Sequence, residues 1–76
     1  MARVIWYREF RKLMERAGLE KVLLVKGEGY FYIASDDEET ALEIAGLQEN
    51  AIYVCAFNQQ TPKQWVEDIK KLLKLK

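Results

Sequence analysis

Seventy-six residues, half of them hydrophobic and a third charged, make one globular α+β domain spanning residues 1–76, because a chain this short cannot build a second core. Twelve basic and twelve acidic side chains cancel, and the hydrophobic and charged fractions are a globular balance that excludes a disordered chain. The uncharged stretch 50–62 is too short and too polar to span a membrane. The N-terminal MARVIWYR holds no apolar run of signal length, and a single Cys55 allows no internal disulfide, so a cytoplasmic protein is expected.

The zero net charge hides an order. Residues 1–26 carry a net +4, residues 27–49 a net −7 with no basic side chain, and residues 50–76 a net +3. Two readings follow. Either the outer segments neutralise the middle within one chain, at a fraction of a kcal/mol per exposed pair, or basic and acidic faces meet between two copies or towards a partner. The first is the simpler expectation.

Along the chain, Trp6, Phe10, Leu13 and Ala17 recur at helical spacing, widened by Tyr7 and Met14, with Arg8, Arg11, Lys12 and Arg16 on the opposite arc. Gly18 is the expected left-handed residue after this helix, with Leu19 packing back on Met14. KVLLVK (21–26) and YFYIA (30–34) around Gly27-Glu28-Gly29 predict a hairpin. On a pleated strand Phe31 and Ile33 share the face that suits a core, and Tyr30 and Tyr32 share the other.

Ser35 and Glu38 have capping-box spacing for a second helix, with Asp36, Asp37 and Glu39 in its first turn. Gly46 is expected to end it, with Leu47 returning onto Leu42. AIYVCAF (51–57) predicts a third strand that buries Cys55 as a small hydrophobe. Thr61, Pro62 and Gln64 then start a last helix whose stripe is Trp65, Val66, Ile69, Leu72 and Leu73. The expected order is α-β-β-α-β-α, a three-stranded sheet packed with helices.

The alternative makes a strand of residues 4–7 and gives a ferredoxin-like β-α-β-β-α-β order with an extra C-terminal helix. The absence of glycine, proline or Asn/Asp between those residues and the helix at Arg8 speaks against it. Val4 and Ile5 nevertheless fit the helical arc poorly, and either extend a strand or touch a partner.

Chemistry finds little purchase. There is no histidine, hence neither the commonest general base nor the commonest nitrogen ligand for zinc. Consecutive helical residues point about 100° apart, so Asp36, Asp37, Glu38 and Glu39 do not converge on one cation. Glycines 27 and 29 fit neither a P-loop nor a dinucleotide fingerprint. No catalytic residue, cofactor or metal is assigned, and the chain is read as no enzyme.

Residues 26–33, KGEGYFYI, partly resemble the RNP1 strand of RNA-recognition motifs. Glu28 stands where a stacking ring is wanted, and acids follow directly. A longer resemblance runs over residues 26–69: KGEGYFYIASDDEETA followed by FNQQTPKQWVEDI resembles short uncharacterised bacterial proteins, some encoded on mobile elements. It implies a stand-alone small protein and no transferable activity.

The expected function is a non-enzymatic protein-interaction module that associates with itself as a homodimer, or with another protein. The contact is expected through an edge strand or an aromatic or helix face, with Tyr30, Tyr32, Tyr53 and Ile5 as contact residues. One alternative is a nucleic-acid binder using the basic patch Arg8, Arg11, Lys12 and Arg16 with the tyrosine-bearing hairpin. Another is a mobile-element inhibitor or adaptor of a host protein. Asp36, Asp37, Glu38 and Glu39 form the candidate acidic patch for a basic partner.

Overall fold

A computed structural model describes residues 3–74. Its elements are β1 (Arg3–Val4), α1 (Arg8–Arg16), β2 (Leu23–Lys26), β3 (Phe31–Ala34), α2 (Glu38–Ala45), β4 (Ala51–Ile52), a 3₁₀ turn (Phe57–Gln59) and α3 (Pro62–Leu72). The strands form one sheet in the order β1-β2-β3-β4, every neighbour antiparallel. The α+β class stands, with four strands instead of three.

The extra strand shares only Val4 with the strand over residues 4–7 that sequence reasoning disfavoured. Arg3 and Val4 pair with Lys26 and Val25, and the Ile5 amide extends the ladder by donating to the Leu24 carbonyl at 2.8 Å. The turn into α1 needs no glycine, because Tyr7 serves as N-cap in ordinary extended geometry. Trp6 and Tyr7 therefore lie outside the helix. The element order now begins like the ferredoxin-like alternative, but that fold rests on parallel βαβ units, and here both helical connections return antiparallel to the adjacent strand.

α1 ends as its sequence predicts. Gly18 has φ +76°, its amide donates to the Glu15 carbonyl and the Leu19 amide to that of Met14 at 2.8 Å, the paired bonds of a Schellman stop. α2 ends at Gly46 as expected, but departs in its N-cap and in the geometry of that stop. Its N-cap is Asp37, whose carboxylate accepts from the Thr40 amide, while the Ser35 hydroxyl accepts from the Asp37 amide and donates to the Lys21 carbonyl. Gly46 keeps a right-handed conformation, Leu47 packs on the core, and Leu42 is left 67% exposed.

β4 stops after Ile52. Gln59 Oε1 accepts from the amides of Cys55 and Ala56, which draws residues 55–59 into a turn where a strand was expected. Cys55 is consequently exposed and outside any strand. α3 starts as expected: the Thr61 hydroxyl accepts from the Gln64 amide at 3.1 Å, and Pro62 occupies the first turn.

All three helices contribute buried residues to a single cluster: Phe10 and Met14 from α1, Ile44 from α2, and Trp65, Val66 and Ile69 from α3, against Ile5, Leu24, Phe31 and Ile33 of the sheet region. Trp65 is its centre. The indole stacks on Phe57 with centroids 5.4 Å apart, meets Phe31 edge-on at 4.7 Å, and donates from Nε1 to the Phe57 carbonyl at 2.7 Å. Each such large side chain removed from water contributes about 1.5–3 kcal/mol. One face of the sheet is thereby covered.

Candidate functional site: the open face of the sheet

The other face follows from strand alternation. With Leu24, Phe31 and Ile33 turned to the core, their neighbours Leu23, Val25, Tyr32 and Ala34 point away from it. The register places Val4, Val25, Tyr32 and Ala51 in one row across all four strands, and Leu23 opposite Ala34 in the next. None of these six positions is charged. An antiparallel sheet with a solvated face ordinarily alternates apolar-in with polar-out; this one is apolar on both sides.

Bulky rings stand at two ends of this face. Tyr30 lies 6.0 Å from Tyr32 and 6.3 Å from Tyr53, centroid to centroid, with tilted planes, within the range where aromatic pairs attract. Tyr53 is 75% exposed. At the opposite end Trp6, 64% exposed, lines a cleft of about 400 Å³ with Leu23, Lys21, Glu20, Asp36 and Asp37, and the Arg11 guanidinium sits 5.3 Å from its ring centroid. Val25 is buried although it faces away from the core cluster.

The structure thus brings Tyr30, Tyr32 and Tyr53 together. Ile5 is corrected: at 2% exposure it belongs to the core and offers nothing to a partner. Val4, singled out as extending a strand or touching a partner, joins this face in β1; Leu23, Val25, Ala34 and Ala51 complete it and were missed, although KVLLVK and YFYIA, with apolar residues at consecutive strand positions, already signal two apolar faces. The sheet edges are β1 and β4, each two residues long, so an edge-strand contact has little ladder to offer.

Of the basic patch only Arg11 reaches the end of this face, beside Trp6. α1 packs on the covered face through Phe10 and Met14, so Arg8, Lys12 and Arg16, all exposed, ride on the side away from the tyrosines. Arg11 is committed locally: its guanidinium donates to the carbonyls of Val22 at 2.8 Å and Glu20 at 3.0 Å, and burial pushes its pKa below the ordinary arginine value. The strand tyrosines and the basic helix do not form one groove.

The acidic patch divides as well. Asp37 is occupied by Thr40, through its hydroxyl at 2.8 Å and its amide at 3.0 Å, and lies 3.6 Å from Lys21. These contacts, the Thr40 bonds first, hold its carboxyl below the ordinary value. Asp36, Glu38 and Glu39 are exposed. Among the described residues no group of three His, Cys, Asp or Glu side chains is placed to hold a metal ion, and no helix is long and apolar enough to cross a membrane. Comparison of the chain with protein-family models, with curated proteins and with solved structures gives no match.

Proposed function

We propose that the chain is a non-enzymatic protein-interaction module that associates with itself through the open face of its sheet. The observation that carries this reading is the row Val4, Val25, Tyr32 and Ala51 with its neighbours Leu23 and Ala34: six outward positions without a charge, of which Val25 is buried and the other five are half-buried, in a chain where a third of all residues are charged. Contiguous apolar surface rimmed by polar groups marks interaction sites, and Tyr and Trp are enriched at the centres of such sites. Two such faces stack about 10 Å apart in a sandwich. A charge-free face also suits a second copy, because any charge buried against it is desolvated without a partner.

The non-enzymatic part rests on the missing histidine, the commonest general base, which also leaves the exposed Cys55 without an imidazole to activate it. The nucleic-acid reading is not adopted, since the tyrosines and the basic helix lie on opposite sides of the sheet.

The test is molar mass by light scattering over a concentration series, at low and high salt. A dimer that persists at high salt is expected, since screening weakens charge pairing and leaves apolar burial intact. Tyr32→Glu and Tyr53→Glu, each placing a carboxylate on the face, are expected to yield monomers with an unchanged circular-dichroism spectrum. A parent that is monomeric throughout overturns the proposal, as does a dimer indifferent to both substitutions.

A further inference from the structure

The charges segregated along the sequence stay segregated in the fold. Of the seven carboxylates in residues 27–49, Asp37 alone forms an ion pair among the described residues, with Lys21; the other ion pair, Lys70 with Glu67, lies within α3. Among the described residues, close internal pairing between the segments, the simpler expectation, is limited to Lys21 with Asp37. Two surfaces are left with opposite charge.

The first is a groove between α1 and α3. Leu13, Ala17 and Val66 form its apolar floor, Arg16, Lys63 and Lys70 its rim, and Glu67 is the single acid there. Its volume of about 250 Å³ falls below the roughly 300–1,000 Å³ of small-molecule pockets. It suits one inserted aliphatic side chain. The second surface is the outer side of α2, where Leu42 is 67% exposed. Glu38 and Glu39 stand four and three residues before it, on the same helical face, Glu43 follows it, and all three are exposed.

We infer that α2 of a second copy docks in the α1–α3 groove, with Leu42 on the apolar floor and Glu38, Glu39 and Glu43 against Arg16, Lys63 and Lys70. This is the helix-in-groove mode of recognition, with charge complementarity fixing the register. The occupant is another chain because Leu42 stays exposed in its own. Each copy carries both a donor helix and an acceptor groove. The contact is independent of the sheet face and differs from it in kind: it is electrostatically supported and weakens as salt screens the rim.

The test uses two charge-reversed chains, Arg16→Glu with Lys63→Glu and Glu39→Lys with Glu43→Lys, and Leu42→Ala, all at exposed positions. Light scattering at low salt is expected to show each reversed chain losing the salt-sensitive part of its association. An equimolar mixture of the two restores it, because each reversed surface then meets its complement. Leu42→Ala, which leaves net charge unchanged, is expected to weaken it roughly tenfold. Association unchanged in the reversed chains, or a mixture that stays dissociated, overturns the inference. A salt-resistant dimer that survives all these substitutions leaves the sheet-face reading standing while this one falls.

Discussion

Gly27 lies under the ring of Tyr30: a Cβ built at Gly27 falls 2.7 Å from Tyr30 Cζ, well inside van der Waals contact. The loop glycine thus holds open the space in which Tyr30 reaches Tyr32 and Tyr53. The clash is with the far end of a partly exposed side chain, so the ring can swing away. Gly27→Ala is therefore expected to leave the fold intact, at a cost of about 1 kcal/mol or less, while displacing Tyr30 and weakening sheet-face association. Near-ultraviolet circular dichroism reads the ring, and light scattering reads the association. An unchanged tyrosine signal would show that Tyr30 does not depend on Gly27.

Trp65 makes three contacts with two residues, stacked on the Phe57 ring, edge-on to Phe31 and hydrogen-bonded to the Phe57 carbonyl. Trp65→Phe removes the N–H donor and leaves a smaller ring, with an expected loss of roughly 1–3 kcal/mol. Trp65→Ala, at about 3–5 kcal/mol, comes close to the whole margin of so small a domain. Urea titration checks both. A Phe variant as stable as the parent would mean that the Phe57 carbonyl finds another donor and that neighbouring side chains fill the gap.

What the residues disclosed in advance was local. The Gly18-Leu19 stop and the Thr61-Pro62 start depend on bonds between near neighbours, and the shared face of Tyr30 and Tyr32 needs only the two-residue period of a strand. What stayed hidden was decided across the chain. Arg3–Val4 is too short for any periodicity to reveal, and becomes a strand because β2 offers it an edge. Ser35 and Asp37 are equally good caps by composition; the Ser35 hydroxyl donates to the Lys21 carbonyl, fourteen residues away, and its oxygen accepts from the Asp37 amide, while Asp37 accepts from the Thr40 amide and so becomes the cap. The predicted third strand was shortened by the side chain of Gln59, and Leu42 lost its expected contact when Gly46 kept to right-handed geometry.

Asp37 supplies a pH dependence. The Thr40 hydroxyl and amide, aided by Lys21, hold its carboxyl below the ordinary value of 3.8. A carboxyl depressed in the folded state adds stability that is fully present above its unfolded value and is lost as pH falls through the folded one. Asparagine caps nearly as well, so Asp37→Asn isolates the charge. The variant is expected to melt below the parent at neutral pH, with the gap closing as pH falls below about 3.8 and through the depressed folded value. A gap that stays constant into acid would assign the effect to side-chain geometry and not to charge.

Lys74 is a non-glycine residue in the left-handed region, with φ 59°, directly after the Leu73 cap of α3. Its amide donates to the Lys71 carbonyl at 3.1 Å, so the backbone geometry closes the helix end while the side chain bears the steric cost of a left-handed residue. Glycine is favoured at this position. Lys74→Ala and Lys74→Gly both remove a cation from the negative end of the helix dipole, so their difference isolates the backbone. The Gly variant is expected to exceed the Ala variant by about 1 kcal/mol, a separation of roughly 4–8 °C in Tm for a domain of this size. Differential scanning calorimetry on the two variants decides it. Equal melting temperatures would mean that the end of α3 relaxes out of the left-handed conformation at no cost to the fold.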